Sequence, residues 1–176
     1  MINAVLLRQL LDTVPLNEKV VYVGIGTDRN IPDSLGPMVG TMLEERGYKV
    51  YGTMEYPMHA LSIPHYAKEI NNHKCVIAID ACSAVKEKIG SIHFRKKPVR
   101  PGAGAGKELP TIGNFSILGM VDGADVMHNI GRLYDTFSMA KDIVDTIERF
   151  EQIRKRRINK NRRKKRVYFI RKGECK

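Results

Sequence analysis

The segment that most constrains the fold is Val20–Pro37, VVYVGIGTDRNIPDSLGP. Its apolar start, VVYV, predicts a strand that is buried on both faces, as in a parallel sheet. A Gly-x-Gly bend at Gly24 and Gly26 follows, and a polar loop then leads to Asp33, directly before a helical pattern. The segment therefore predicts a strand and loop that deliver the carboxylate of Asp33 to the edge of a sheet.

A second carboxylate is placed in the same way. The apolar run Cys75–Ile79 predicts another buried strand, which stops on Asp80. In an open α/β sheet the ligand crevice lies outside the carboxyl ends of the strands, so neighbouring strands would bring Asp33 and Asp80 together. Two carboxyls held close do not both ionise readily, so one keeps a proton while the other acts as a base toward water. This pattern predicts a catalytic pair suited to the hydrolysis of an amide.

Structural roles are the alternative for both aspartates. Aspartate is a preferred N-cap residue, so Asp33 would then cap the following helix. Aspartate is also common in turns, so Asp80 would only turn the chain. The sequence leaves these alternatives open.

Strands and helices alternate along the chain, which predicts an α/β fold with a mostly parallel central sheet flanked by helices. An amphipathic helix at the N-terminus opens the series, and an apolar stripe at helical spacing marks the last helix. That stripe reaches Phe150 and is predicted to end there, because the next in-phase position is the charged Arg154. The predicted elements after the first helix are strand Lys19–Ile25, a helix from Leu35 to Gly47, strand Tyr48–Thr53, helix His59–Asn71, strand Cys75–Ile79, a short edge strand Gly90–Phe94, strand Phe115–Val121 and helix Val126–Phe150.

The basic charge is concentrated at one end of the chain. Residues 151–176 hold 13 Lys/Arg and 2 acidic residues, so residues 1–150 hold 17 of each and have no net charge. We expect one α/β domain over 1–150 and a basic C-terminal extension over 151–176. Such a tail either contacts nucleic acid nonspecifically through its phosphates or lies in solvent. Its apolar island, Val167–Ile170, would dock on the body or on a second subunit of a homo-oligomer.

Cysteine usage and hydropathy predict a soluble cytoplasmic protein. The three cysteines form neither an even framework nor a CxxC pair, so no disulfide scaffold or zinc site is indicated, and a reducing compartment fits. No run approaches the roughly 18 apolar residues of a membrane span, and we expect no membrane contact. Arg8 interrupts the apolar residues of the N-terminus, which argues against a signal peptide.

Two glycine-rich segments lack the residues of nucleotide-binding motifs. The Gly-x-Gly bend has Arg29 where a dinucleotide fingerprint needs glycine, and PGAGAGKE has Pro101 and Glu108 where a P-loop needs Gly and Ser or Thr. No cofactor is therefore expected. Glycines let a backbone approach closely, so Gly26 and Gly104 are predicted to bind a peptide substrate, although the second segment is equally compatible with a mobile loop.

Three motifs resemble the YyaC sporulation proteins of spore-forming Firmicutes, and the likeness spans most of residues 18–147. They are GIGTDRNIPDSLGP (Gly24–Pro37), VIAIDACSA (Val76–Ala84) and PGAGAGKELP (Pro101–Pro110). These proteins are themselves similar to the germination protease that degrades small acid-soluble spore proteins. The resemblance implies a phosphorylase/hydrolase-like three-layer fold shared with hydrogenase maturation endopeptidases. It also implies a peptidase of the sporulating cell or forespore, acting on those spore proteins or on another sporulation protein.

The resemblance also implies roles for particular residues. In the germination protease, the aspartate before x-Leu-Gly-Pro and the one after the third strand form the essential acidic pair, which by motif are Asp33 and Asp80 here. In the maturation endopeptidases the carboxylates at these places hold a metal together with a histidine. His59, His93 and His128 are candidates by residue type only, so a metal-free aspartic mechanism is expected, with no metal ligands.

One position departs from the related enzymes, and two other functions stay open. Thr27 follows the Gly-x-Gly bend where the germination protease and the maturation enzymes have asparagine. One alternative is a non-enzymatic sporulation factor that binds a protein or nucleic acid. The other is a metal-dependent endopeptidase of the maturation type.

Overall fold

The computed structural model describes residues 1–103, 106, 108–123 and 131–173, with side chains up to residue 163. Within these residues, five strands form one sheet in the order β2-β1-β3-β5-β4. Two short 3-10 turns, Pro32–Ser34 and Lys86–Lys88, supplement the helices. The elements are α1 (Ala4–Thr13), β1 (Val21–Gly24), α2 (Leu35–Glu44), β2 (Val50–Tyr51), α3 (Ile63–Asn71), β3 (Val76–Ala84), β4 (Ile92–Arg95), β5 (Phe115–Asp122) and α4 (Leu133–Gly173).

The sheet is parallel except at one edge. β1 pairs in parallel with β2 and β3, β3 pairs in parallel with β5, and β4 is the antiparallel edge strand. Side chains alternate along the strands, as pleated strands require, so that Tyr22 faces one core and Val21 and Val23 face the other. Helices α1, α2 and α4 cover the first face, and α3 covers the second. The predicted α/β fold with a mostly parallel sheet between two helical layers is confirmed.

The strand that carries Asp80 is longer than predicted. β3 continues to Ala84, so Asp80 lies within the strand and not at its end. The apolar run stops at Ile79, but the ladder with β5 continues to the pair Ala84 and Asp122 because backbone pairing does not require apolar side chains. Asp80 therefore does not turn the chain, and that alternative is wrong.

Two other predicted elements are shorter in the structure. The second strand covers only Val50–Tyr51, since Gly52 then adopts a left-handed φ of 80°. The helix predicted from His59 begins at Ile63, because His59 and Ser62 close a turn in which the His59 N–H donates to Ser62 Oγ at 3.0 Å.

The apolar stripe of α4 differs from its prediction at both ends. Phe137 is 43% exposed and does not pack on the sheet as expected. Arg154 is only 5% exposed, so this in-phase position is buried although it is charged. Two further stripe residues, Val126 and Ile130, lie outside the described residues, as do the side chains of Val167–Ile170.

Arg154 is buried because its guanidinium satisfies four acceptors. Nη1 donates to Glu151 at 2.9 Å, and Nη2 donates to the carbonyls of Pro15, Leu16 and Glu18 at 2.8, 3.2 and 2.6 Å. Glu151 also accepts a hydrogen bond of 2.8 Å from the Tyr22 hydroxyl. This network ties α4 to the connection between α1 and β1. The division of the chain into 1–150 and 151–176 stays a prediction, and α4 crosses position 150 without interruption.

No helix in the described ranges combines the length and apolar character that a bilayer crossing needs.

Replacing Arg154 with glutamine will lower the free energy of unfolding by about 3–5 kcal/mol, because it leaves Glu151 buried without its cation. Urea unfolding of the full chain measures this loss. Arg157→Gln is the matched control on the same helix, since Arg157 is exposed and its substitution should cost less than about 0.5 kcal/mol. Equal stability of the two variants would contradict the structural role of the buried network.

Candidate active site at the carboxyl edge of the sheet

The strand order places a topological switch point between β1 and β3. The chain leaves β1 toward β2 on one side of the sheet and later returns to β3 on the other. Crevices at such points, outside the carboxyl ends of the strands, are where α/β sheets bind ligands. The paired backbones end at Gly24 and Ile79, one residue before Asp80. The loop that carries Asp33 leaves β1 at the same level.

Hydrogen bonds fold the loop after β1 back onto itself. The Gly26 N–H donates to the Met58 carbonyl at 3.0 Å, and the Thr27 N–H donates to the Asp33 carbonyl at 3.2 Å. The Asp33 N–H donates to the Asn30 side chain at 3.1 Å. Both backbone groups of Asp33 are therefore fixed, which holds its side chain in a defined position.

Two glycines permit this close packing. Gly26 has a φ of 140°, and a Cβ built on it would lie 1.9 Å from the Asp33 carbonyl oxygen. A Cβ on Gly36, in the first turn of α2, would lie 2.1 Å from the Ile25 carbonyl oxygen. Gly26 therefore has a structural reason to be glycine, and its predicted contact with substrate stays a prediction. Gly104, the other predicted substrate-binding residue, lies outside the described residues.

Asp33 does not serve as the N-cap of the following helix. It lies in the 3-10 turn Pro32–Ser34, and Ser34 is the N-cap of α2, with no side-chain capping bond. The capping alternative is therefore wrong for Asp33. Both Asp33 and Asp80 are half-buried, so solvent still reaches them.

The two carboxyls have different tendencies to hold a proton. Burial raises the pKa of Asp80 well above its usual value, the negative charge of Asp33 raises it further, and a hydrogen bond from the Ala81 backbone opposes both effects. Burial also raises the pKa of Asp33, against a hydrogen bond from the Thr27 backbone. The 3-10 turn that carries Asp33 lies against β3, which carries Asp80. Burial and the Asp33 charge together favour the protonated form of Asp80.

The described residues do not form a cluster of metal ligands. His59 lies in the loop after β2, where its Nδ1 accepts a hydrogen bond of 3.2 Å from the Leu61 N–H. His93 is exposed on the edge strand β4 and is hydrogen-bonded to Ser91 at 2.8 Å. Within the described part of the chain, no three His, Cys, Asp or Glu side chains converge as metal ligands would. His128 lies outside that part, and a metal-free mechanism stays a prediction.

Several exposed apolar side chains lie in segments that follow the strands of the sheet. Large hydrophobic residues are exposed in the connections that follow β2 and β3 and at the start of α4, which comes after β5. Helix α4 also contacts the 3-10 turn that carries Asp33. Sequence periodicity did not identify these residues, because an apolar residue in a pattern is normally assigned to the core. They are Tyr56, Leu61, Val85, Ile89, Leu133, Tyr134 and Phe137.

The fold and the site define an α/β protein of three layers with an acidic pair at the switch point of its sheet. The chain belongs to the family described as "Protein of unknown function (DUF1256)", whose family model matches residues 1–146. It is 40% identical over 114 residues to the uncharacterized protein YyaC of Bacillus subtilis, a match that covers 61% of this chain and 56% of the relative. The chain thus matches little more than half of that relative's length. The resemblance to YyaC is confirmed, and a similarity to the germination protease is not shown.

Several solved structures have a similar fold at low identity. They include the NiFe hydrogenase maturation protease HybD of Thermococcus kodakarensis, at 16% identity and a TM-score of 0.41, covering 72% of this chain and 99% of that one. The hydrogenase 2 maturation peptidase of a Thaumarchaeota archaeon has 15% identity and a TM-score of 0.48, covering 74% and 96%. An uncharacterized protein of Wolinella succinogenes has 14% identity and a TM-score of 0.49, covering 77% and 98%. With TM-scores below 0.5, these likenesses support no conclusion about the site.

The raised pKa of Asp80 predicts that folding stability falls as the pH rises above about 4. In that range the unfolded chain has released the proton while the folded chain still holds it, so stability declines until the pH passes the folded pKa. Because burial also raises the pKa of Asp33, Asp80→Asn will reduce this decline without abolishing it, and the variant will be more stable than wild type at neutral pH. Urea unfolding between pH 4.5 and 8 measures the slope. Asp12→Asn is the control because that side chain is 69% exposed, and a wild-type slope in Asp80→Asn would refute the assignment.

Gly26→Ala will unfold more easily than Gly90→Ala, by about 1–3 kcal/mol. Both glycines have positive φ, but a Cβ at Gly90 meets nothing within 4 Å, whereas one at Gly26 meets the Asp33 carbonyl at 1.9 Å. The comparison therefore measures the close contact at Gly26 together with its less favourable φ of 140°, against 83° at Gly90. Thermal melts of both variants provide the measurement. Equal melting temperatures would show that the loop after β1 does not need the close contact between Gly26 and the Asp33 carbonyl.

Proposed function

We propose that the protein is a peptidase that uses Asp33 and Asp80 as an acid–base pair to hydrolyse a peptide bond of a protein substrate. The observation that carries this proposal is the contact between the turn that holds Asp33 and β3, which holds Asp80, at the switch point of the sheet. An ionised and a protonated carboxyl beside each other supply a base for water and an acid for the substrate carbonyl.

In the proposed reaction, a water molecule lies between the two carboxyls. Asp33 takes a proton from this water while the water oxygen attacks the carbonyl carbon of the peptide bond. Asp80 gives its proton to the carbonyl oxygen. In the second step Asp33 gives its proton to the leaving nitrogen, the C–N bond breaks, and Asp80 recovers a proton from the tetrahedral intermediate. Both carboxyls return to their starting states, and one water is consumed for each bond broken.

The exposed apolar residues at the carboxyl edge favour a peptide substrate. Val85, Tyr134 and Phe137 are exposed in segments that follow β3 and β5, and burying such apolar surface against an extended peptide would help to hold the peptide over the carboxyls. Kinship with YyaC, together with that family's resemblance to spore proteases, leads us to propose small acid-soluble spore proteins, or another sporulation protein, as the substrate. The sporulating cell or forespore would then be the place of action.

Asparagine substitutions test the chemistry, since they keep the shape of the side chain and remove its proton exchange. Asp33→Asn and Asp80→Asn will each reduce the rate of cleavage of a purified small acid-soluble spore protein by about 10²-fold or more. The products are separated by electrophoresis and identified by mass spectrometry. Asp28→Asn, an exposed carboxylate in the same loop, is the matched control and should cleave at the wild-type rate.

Three outcomes contradict the proposal in different ways. Absence of cleavage by the wild-type protein, across spore proteins and an unfolded general substrate, would favour a non-enzymatic binding factor. Full activity in both asparagine variants would remove the two carboxyls from the reaction. Loss of activity on chelation, restored by a divalent metal, would favour the metal-dependent alternative.

A further inference from the structure

A basic groove lies at the opposite end of the sheet from the carboxylate pair. It has a volume of about 1420 Å³ and is bounded by the start of β1, the turns that precede β2 and β3, and one face of α4. The amino ends of parallel strands lie together at one edge, so this groove is separated from the candidate active site by the length of the strands.

Cationic side chains line the groove on all of its walls. Lys19 comes from the approach to β1, Lys74 from the approach to β3, and Lys155 and Arg162 from α4. All four are exposed, and within the described residues none of them has a carboxylate at salt-bridge distance.

The acidic residues of the groove do not balance this charge. Glu151 is already bonded to Arg154 and Tyr22, which leaves Glu18 as the other carboxylate of the lining. Lys49 adds a further exposed cation and contacts His73 at 3.2 Å. The groove therefore has a local positive excess, although residues 1–150 have no net charge.

The size of the groove and the spacing of its cations fit a polymer better than a small anion. Lys155, Ile158 and Arg162 repeat at helical spacing along α4, and Lys155 and Arg162 lie about 10 Å apart along the helix axis. That distance corresponds to about three base-pair steps along the axis of a duplex. Pockets for small molecules usually enclose about 300–1000 Å³ and bury most of their ligand, whereas this groove is larger.

We propose that this groove binds the sugar-phosphate backbone of nucleic acid, without base specificity. Protein-binding interfaces are depleted of charged residues at their centre, whereas nucleic-acid interfaces are polar and strongly positive, as this groove is. The tail beyond residue 163 continues the same charge, with six Lys/Arg from Lys164 to Lys176. This proposal places the nucleic-acid contact on the folded body, whereas the sequence indicated only the tail. Because the groove lies at the far edge, nucleic acid can occupy it while the carboxylate pair remains open.

Charge-neutralising variants of the full chain test this proposal. The groove variant combines Lys19→Gln, Lys74→Gln and Arg162→Gln, all exposed and outside the buried Arg154 network. The control variant combines Lys86→Gln, Lys88→Gln and Lys97→Gln, which removes the same charge from exposed positions that do not line the groove. Fluorescence anisotropy with labelled 20-nucleotide single-stranded and duplex DNA, between 50 and 300 mM salt, gives affinity and salt dependence.

We expect the groove variant to bind DNA at least tenfold more weakly than the control variant at low salt. The slope of log K against log salt should be smaller by about 2–3, one unit for each phosphate contact removed. Equal affinity of the two variants would overturn the proposal, because the tail or the net charge would then explain all binding. Polyglutamate that competes as well as DNA at equal charge would also overturn it, since the groove would then be a general site for acidic polymers.

Discussion

The candidate site exists because β3 has two neighbours of unequal length. Its ladder with β1 ends at the pair Gly24 and Ile79, while its ladder with β5 continues to Ala84. The backbone of Asp80 is thus held on one side by a sheet neighbour and faces the departing loop of β1 on the other. Strand pairing gives Asp80 a rigid base, and the divergence of β1 gives the crevice. Every functional inference at this edge depends on that difference.

The same arrangement has a cost in stability. Burial and a neighbouring carboxylate both disfavour the ionised form of Asp80. The folded state therefore holds a carboxyl group that would be more stable in water. Close backbone packing at Gly26 and Gly36 surrounds the site, and the buried network around Arg154 stabilises the fold at the other edge of the sheet. Functional sites commonly hold such unfavourable groups, which is one reason to assign chemistry to this pair.

Much of the fold follows from local patterns. Continuous apolar runs predict the buried strands β1 and β3, and helical spacing predicts α1 and α2, because burial on one or both faces leaves a direct mark on the sequence. The pairing of β1 with β3 follows the prediction that the strands leading to Asp33 and Asp80 are neighbours, and the shared role of the two carboxyls stays a prediction.

Other features depend on partners that no local pattern identifies. The extension of β3 past Asp80 is set by β5, and the burial of Arg154 is set by three carbonyls of a distant loop. Phe137 is exposed although its spacing along α4 matches that of core residues. The basic groove was missed for the same reason, because its cations come from positions 19 to 162 and meet only in the folded chain.

Helix α4 connects the two ends of the molecule. Its first turns present exposed apolar side chains near the carboxyl edge, its middle packs on the sheet through residues such as Ile147 and Phe150, and its continuation lines the basic groove. Arg154 lies at the junction of the packed and the charged parts, where its hydrogen bonds tie the helix to the connection between α1 and β1. A single helix spans both edges of the sheet. The register in which α4 packs on the sheet therefore fixes the position of its first turns relative to the carboxyls. It also fixes the position of its cations relative to the other walls of the groove. A shift of that register would move both, so one packed interface sets the geometry of two sites that lie at opposite ends of the strands.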